Sequence, residues 1–423
     1  MEGNSVGHSI NQWQKIITFL LVVFPILDIY SVGIKGIGIG SVLLCVALTG
    51  MGIRFLYKQH KIKWNSYYGF FLYGLCISLF NLLIHSDFSI TAVAIRMTYF
   101  LFFTLLIFFP SEDDFDVYFA GQVYLKIGMI AGGFLVVQYI LFWGIGYNLL
   151  GLIPGLPLNY TIENYNEWVD AYNDLYSIMF RPTSFFPEPA SLAQYMEPLL
   201  ILVLFTPIGK DKRLVKAIFI STVMVLSTST NGLIFSIFTW IIYFVHINFR
   251  NLKNRRFPIF LVIAFLIAIV AIILILSTDN QIGNYTAQKF EGLFGMNVSS
   301  SAYLRIMRGF DIYSQLNVFE KIFGIGLGTY KSYYATGTLT VFEGETEYMS
   351  SLSYLFVSGG IIGILLFISS LFHNVYGKGV AVHILAFSII LSFCSSSLFN
   401  TPVYVLIYLF ILHLDKKIID NKG

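Results

Sequence analysis

Residues 181–197, with the sequence RPTSFFPEPASLAQYME, concentrate the residue types that could do chemistry. Arg181, Glu188 and Glu197 lie there between a polar segment and the start of an apolar run. Charged side chains are costly to place at or inside a membrane, so such residues are functional candidates by default. We predict that Arg181 binds a phosphate or a carboxylate, because a guanidinium offers these anions two parallel hydrogen bonds. The alternative is an arginine at the membrane interface or in a structural salt bridge.

The two carboxylates of this segment have different candidate roles. Glu188 stands between two prolines at the predicted start of a helix. It either stabilises the helix dipole there or acts as a general base towards a bound substrate. Glu197 lies deeper in the apolar run, where it either carries protons, lines a polar cavity or joins helices together with Gln194. We predict Glu188 to be a catalytic base and Glu197 to be a cavity-lining residue.

Three further arginines and a second glutamate could complete a site. Arg96 lies inside an apolar run, where it either pairs with Asp28 or attracts an anion. Arg305 and Arg308 share one helix face, which either binds an anion or faces solvent. Glu347 is the last of three glutamates before another apolar run, and it is the other candidate for the base. We predict that these three arginines act together with the arginine of 181–197.

Membrane-spanning helices must position these residues. The chain of 423 residues is 57% hydrophobic and only 12% charged, whereas soluble domains usually have about 25% charged residues. Apolar runs of about 20 residues predict transmembrane helices, because backbone groups in lipid must satisfy one another. We predict an all-α polytopic membrane protein with about 12 transmembrane helices. The predicted spans are 16–34, 37–57, 66–84, 90–110, 122–145, 190–208, 214–230, 231–249, 257–276, 350–372, 379–398 and 399–414.

The charge distribution predicts the orientation of these spans. Lysine and arginine concentrate in the connectors on one side. The positive-inside rule makes that side cytoplasmic and places both the N and the C terminus there. The two long loops, 146–189 and 277–349, are then extracytoplasmic, and long loops of this kind are often functional. The chain is predicted to be one transmembrane domain, 1–423, and its acidic run 112–116 is predicted to be a solvated cytoplasmic turn.

The sequence lacks the signatures of common cofactor sites. It has no P-loop, no HExxH and no zinc-ligand spacing, and its glycine-rich segments 36–40 and 324–328 do not follow a strand–turn–helix pattern. The three cysteines lie inside apolar runs and are predicted to be small core residues. The polar segment 227–232, which includes Asn231, either lines a cavity or simply breaks a helix. We therefore predict no metal and no other cofactor.

Arginines and carboxylates on an outer face, without a cofactor, suggest a substrate that carries its own activation. ATP is absent outside the membrane, and a lipid-linked diphosphate leaving group would supply the energy instead. The arginines would hold the diphosphate and offset the charge that develops on it. A carboxylate would deprotonate the attacking sugar hydroxyl.

Four segments, in the same order along the chain, resemble motifs of bacterial Wzy-type O-antigen and capsule polymerases. Residues 181–193 resemble their R-x-x-G/S-F-x-x-E-P-S segment, and residues 227–232 resemble their S-x-S-x-x-G helix turn. Arg305, followed by FGIGLG at 323–328, resembles their second outer loop. The polar-to-apolar step into 358–363 resembles the helix after that loop. Each motif is short, so the resemblance depends on the ordered set.

This resemblance implies a metal-independent glycosyltransferase of the GT-C type. It would polymerise undecaprenyl-diphosphate-linked repeat units into O-antigen, capsular or exopolysaccharide at the outer face of the bacterial plasma membrane. The implied partners are the lipid-linked glycan donor and acceptor, membrane lipid, a chain-length regulator and a flippase, and no nucleic acid. Glu188 or Glu347 would be the catalytic base, and four arginines would bind the diphosphate: Arg96, Arg181, Arg305 and Arg308.

Other functions stay open at this point. O-antigen ligases share the layout, and they are associated with an outer-loop histidine, whereas this chain has no histidine between 247 and 372. A transporter or flippase for a glycolipid or an anion would suit the predicted spans and the charges within them. Transporters usually show related halves, however, and no internal repeat is visible here. A sensor or a structural membrane protein is a third alternative, for which the sequence shows no output domain.

Overall fold

The computed structural model describes residues 10–34, 37–57, 65–85, 89–153, 156–159, 180–250, 306–330, 333 and 349–414. Every regular element in these residues is a helix. The helices are α1 (Gln12–Leu27), α2 (Ile39–Tyr57), α3 (Ser66–Ile84), α4 (Ile90–Phe108), α5 (Val117–Ile145), α6 (Pro189–Phe205), α7 (Arg213–Leu226), α8 (Thr230–Arg250), α9 (Arg308–Gln315), α10 (Val318–Phe323), α11 (Ser351–Val375), α12 (Val380–Ser395) and α13 (Pro402–His413). One turn of 3-10 helix, Pro207–Gly209, precedes α7.

The lengths and compositions of these helices are those of a helical membrane protein. Six of them are long and apolar enough to cross a membrane, namely α2, α3, α4, α5, α8 and α11. Four shorter apolar helices accompany them, namely α1, α6, α12 and α13. Each predicted span overlaps one helix, except 257–276, which lies outside the described residues. The number of spans, the side of the termini and the division into outer loops stay predictions.

Helices α6 and α13 form the centre of the bundle. Every residue of α6 from Tyr195 to Phe205 is buried, and so is every residue of α13 from Tyr404 to Ile411. A helix that is apolar all round must be enclosed by other apolar surfaces. Helices α5, α7, α8 and α12 pack around α6, and α1, α4, α11 and α12 pack around α13. Because α6 and α13 are enclosed in this way, the residues that precede them, Glu188 and Thr401, have fixed positions.

The acidic turn between α4 and α5 is solvated only in part. Glu112 and Asp113 are exposed as predicted, whereas donors from other helices converge on Asp114. Asp114 is buried and accepts hydrogen bonds from Trp13 Nε1 at 2.9 Å and from Arg54 Nη1 at 3.0 Å. Ser111 Oγ donates to the second carboxylate oxygen at 2.6 Å. Asp116 accepts from Phe119 N and so begins α5 as its N-cap. At this end of the bundle, an ion pair between Arg54 and Asp114 therefore joins α2 to the turn before α5.

The three cysteines are not core residues, contrary to the prediction. Cys45, Cys76 and Cys394 are all exposed on the surfaces of their helices. A helix in a membrane carries apolar side chains on its lipid-facing surface as well as towards its neighbours, so apolar flanks do not indicate burial.

Candidate functional site

A cavity of about 800 Å³ lies where the ends of α1, α4, α6, α11 and α13 meet. Apolar and aromatic side chains form most of its wall, together with a few polar ones, which is the usual composition of ligand sites. Among the described residues of the wall, the charged ones are Asp28, Arg96 and Glu188. The uncharged polar ones are Asn159, Ser191, Gln194, Ser351, Ser396, Ser397, Asn400 and Thr401.

Glu188 reaches the cavity from the position just before α6. It is the N-cap residue, with an extended φ of −141°, and Pro189 follows it as the first helical residue. Its side chain makes no capping hydrogen bond to α6, and it is exposed. The expected position at a helix start is therefore correct, but the carboxylate does not cap its own helix. It lines the cavity instead.

The turn before Glu188 is fixed against α5. Ser184 is fully buried and has a positive φ of 55°. Its backbone N–H donates to Gln138 Oε1 at 2.8 Å, and its hydroxyl donates to Ala131 O at 2.8 Å. Gly151 packs directly on the carbonyl oxygen of Ser184, where a side chain would collide. These contacts hold the turn, and with it the start of α6, in one position.

Arg96 reaches the cavity from the second turn of α4, where Gly328 packs against it. Gly328 has a positive φ of 76°. A Cβ atom at this position would lie 2.8 Å from Ala92 O and 3.0 Å from Arg96 Cγ. Glycine satisfies both the backbone conformation and the close approach. Residues of α4 and the glycine-rich segment thus share one wall of the cavity.

A break in α11 accommodates the glycine-rich segment 324–328. Gly360 has a non-helical φ of 64° and ψ of −167°, and a Cβ atom there would lie 2.6 Å from Gly324 N. Gly326 N donates to Ser358 O at 2.9 Å, beside the break. The segment therefore packs its backbone against a helix backbone. It positions the wall beside Arg96.

Asp28 belongs to the same cavity as Arg96. It follows the last residue of α1 and accepts hydrogen bonds from Ser41 N at 3.0 Å and from Ser41 Oγ at 2.6 Å. The Ser41 donors, at the start of α2, thereby satisfy one of its carboxylate oxygens. Asp28 and Arg96 line the same cavity. The alternatives for Arg96, a pair with Asp28 or the attraction of an anion, both stay predictions.

The other predicted arginines are not among the described residues that line the cavity. Arg181 is half-buried, just before the turn that leads to α6. Arg308 is buried at the start of α9, with 4% of its surface exposed. The next residue, Gly309, packs beside Met349, which lines the cavity. Arg305 lies outside the described residues.

Glu197 and Asn231 likewise do not line this cavity. Glu197 is buried between α6 and α12, where Ser392 Oγ donates to its carboxylate at 3.2 Å. This contact is of the helix-joining kind, with Ser392 as the partner, whereas Gln194 lines the cavity. Asn231 is half-buried near the start of α8. Glu347 lies outside the described residues.

Sequence reasoning missed the wall formed by 396–401, between α12 and α13. Ser351 Oγ accepts hydrogen bonds from Leu398 N at 2.6 Å and from Phe399 N at 2.8 Å, which shapes this segment. Asn400 follows with a positive φ of 55° and lines the cavity. The spans 379–398 and 399–414 were predicted to adjoin, which left no connector there. The run of three serines and Asn-Thr-Pro was the available signal.

Comparisons with known proteins add no relative. No family model matches the chain, and a search of curated proteins finds no significant match. Within the described residues, no group of three or more His, Cys, Asp or Glu side chains could hold a metal ion. In the described part of the wall, the cavity combines one guanidinium with two carboxylates and several amide and hydroxyl groups.

Proposed function

We propose that this chain polymerises lipid-linked oligosaccharide repeat units at the outer face of a bacterial plasma membrane. The carrier would be undecaprenyl diphosphate, and the product O-antigen, capsular or exopolysaccharide. One observation carries the proposal: Glu188 and Arg96, predicted as a base and as a diphosphate ligand, line the same cavity of a helical membrane protein. Asp28, Gln194 and other polar groups beside them make that cavity suitable for a polar ligand.

The reaction would transfer the growing glycan from its lipid diphosphate to a hydroxyl of the next repeat unit. Glu188 would accept the proton of that hydroxyl as the oxygen attacks the anomeric carbon. A new glycosidic C–O bond would form, and the bond from the anomeric carbon to the diphosphate oxygen would break. The diphosphate would leave with the electron pair, and Arg96 would offset its charge.

The remaining candidates take supporting roles in this proposal. Arg181 and Arg308 would bind the diphosphate from the two outer loops, and Arg305 would join them. Glu347 stays the other candidate for the base. Asn231 and Glu197 would shape the bundle around the cavity, because the contacts of Glu197 are directed to α12.

A transporter is less well supported than a polymerase. Transporters use broken helices to coordinate substrate, and α11 is broken at Gly360. The break is occupied by the backbone around Gly324, however, and Gly360 is not among the described residues that line the cavity. A ligase would use the same donor chemistry with a different acceptor, so the test must distinguish the acceptors.

The test is complementation of cells from which the gene for this chain has been deleted. We expect such cells to accumulate carrier that bears a single repeat unit on the outer face, and the unaltered chain to restore long polymers. Glu188→Gln should lower elongation about 10²- to 10⁴-fold, the usual contribution of a general base. Asp116→Asn is the matched control, because it changes another N-cap carboxylate, at the opposite end of the bundle.

One outcome would reject the assignment of the base, and two would reject polymerisation. Long polymers in cells with the Glu188→Gln variant would exclude Glu188 as the base. Repeat units trapped on the cytoplasmic face of the deletion strain would indicate a transporter. Polymers that are of normal length but are not attached to their final acceptor would indicate a ligase. Immunoblots of membranes must show equal amounts of each variant.

A further inference from the structure

Two asparagines in the wall of the cavity have buried side-chain oxygens that lack donors. Asn159 and Asn400 both line the cavity. Within the part of the chain that the structure describes, neither Oδ1 atom has a hydrogen-bond partner. Buried polar atoms are nearly always paired, so an orphaned one calls for a water or a ligand. Neither residue was a candidate from the sequence.

The orientation of Asn159 is fixed by its other atoms. Its Nδ2 donates to Asp28 O at 3.2 Å, and its backbone N–H donates to Ile29 O at 2.8 Å. Since the amide nitrogen donates to a carbonyl oxygen, the amide oxygen is the side-chain atom that has no partner among the described residues. These contacts lie beside an isolated antiparallel β-bridge between Tyr30, after the end of α1, and Leu158.

Asn400 is held in an uncommon backbone conformation. Its φ of 55° is left-handed, a conformation that asparagine tolerates better than most residues. Ser351 fixes the two preceding residues by accepting from Leu398 N and Phe399 N, and it donates to Ser396 O at 3.1 Å. A strained residue that its surroundings over-determine is typical of ligand sites.

The neighbouring side chains narrow the class of ligand. An amide oxygen accepts hydrogen bonds, so it pairs with hydroxyl groups and not with a deprotonated phosphate. Aromatic rings of Tyr99, Phe186, Tyr354 and Phe399 also line the cavity and offer apolar faces. Hydroxyl groups together with apolar C–H faces are the surface of a sugar ring.

We propose that Asn159 and Asn400 form a sugar-recognition pair that binds hydroxyl groups of the glycan, while Arg96 binds its diphosphate. This assignment rests on the proposed function and adds to it the part of the cavity that selects the sugar. A site built to hydrogen-bond a hydroxyl rejects ligands that lack it, because its own polar groups are then left unpaired. The pair therefore sets specificity, whereas Glu188 acts in the reaction.

The test compares two lipids bound to the purified full-length chain in detergent. One is polyprenyl diphosphate that carries a single neutral hexose, and the other is the same polyprenyl diphosphate without sugar. Asn400→Gly removes the amide yet permits the positive φ. It should weaken binding of the hexose-bearing lipid about tenfold, which is about 1.4 kcal/mol, and should leave binding of the bare lipid unchanged. Asn159→Ala should act in the same direction.

Asn148→Ala is the matched control. The Oδ1 atom of Asn148 is also buried without a partner among the described residues, but Asn148 does not line the cavity. We expect its affinities for both lipids to equal those of the unaltered chain. Arg96→Gln should weaken binding of both lipids alike, because both carry the diphosphate.

The possible results separate this inference from the proposed function. Equal losses for both lipids in the Asn400→Gly variant, or no loss for either, would overturn the sugar-recognition pair even if the chain polymerises glycans. A sugar-dependent loss at Asn400 and Asn159 upholds the pair. If the deletion strain still elongates its glycan, the pair stands and polymerisation is rejected.

Discussion

Replacing Gly328 by alanine would disturb Arg96 without removing any charged group. The new Cβ atom would lie 2.8 Å from Ala92 O and 3.0 Å from Arg96 Cγ. Both distances are shorter than ordinary contacts between non-bonded atoms. The backbone of α4 at Ala92 cannot yield easily because it is part of a helix. We therefore expect the side chain of Arg96 to be displaced in the wall of the cavity.

Two costs contribute to the effect of Gly328→Ala, and the chain offers a control that separates them. A non-glycine residue in the left-handed region costs about 1–2 kcal/mol, and overpacking costs a further 1–3 kcal/mol or so. Gly377 also has a φ of 76°, but a Cβ atom there would meet nothing within 4 Å. Gly377→Ala therefore measures the backbone cost alone, and the difference between the variants measures the crowding at Arg96.

The assay follows both stability and binding of the bare polyprenyl diphosphate. We expect Gly328→Ala to be less stable than Gly377→Ala by about 1–3 kcal/mol in denaturant unfolding, and to bind the lipid more weakly. If the loss of binding arises through Arg96, Gly328→Ala should add little to it in an Arg96→Gln background. Equal stability of the two alanine variants, or a fully additive loss of binding, would refute this reasoning.

Two other predictions concern the supports of the cavity. Gln138→Ala removes the acceptor of Ser184 N and the donor to Leu149 O, so we expect a loss of about 1–3 kcal/mol in stability and slower elongation. Elongation at the full rate would contradict the role of Gln138 in holding the turn before α6. Asp114→Ala should cost about 1–2 kcal/mol by leaving Arg54 without its ion pair. It should leave elongation per folded molecule unchanged, because the pair lies at the opposite end from the cavity; a slower rate would disprove that separation.

Most helix bounds could be predicted from the sequence to within a few residues, because apolar runs of membrane length have few structural alternatives. The exception is α1, which ends at Leu27 and not at 34. The starts of α3 and α4 agree with the predicted spans, and Glu188 does stand at the start of a helix. The sequence could not show which faces of the helices are buried. Apolar runs look alike on both faces, which is why the three cysteines were misplaced. The burial of Asp114 could not be predicted because its donors, Trp13 and Arg54, are remote in sequence.

The candidate site was only partly predictable. Arg96 and Glu188 could be found because a charge in or beside an apolar run is rare. The need for glycine at position 328 could not be predicted, because it arises from contacts with Ala92 and Arg96 of α4, which are remote in sequence. Asn400 was missed for a different reason. Asparagine in a short connector is common, and only the cavity distinguishes it from other loop residues.

The charges of the cavity wall place a condition on the proposed ligand. Among the described residues, Asp28 and Glu188 face Arg96, so the wall has no excess of positive charge when all three are ionised. A diphosphate ester brings about two further negative charges, and burying it there requires more cations than Arg96.

Two further arginines are candidates for those cations. Arg181 is half-buried just before α6, and Arg308 is buried at the start of α9, beside the Gly309 contact with Met349 in the cavity wall. Arg181 and the Gly309 contact beside Arg308 thus lie towards the end of the bundle that contains the cavity. We therefore expect Arg181 and Arg308 to supply the balancing charge to a bound diphosphate.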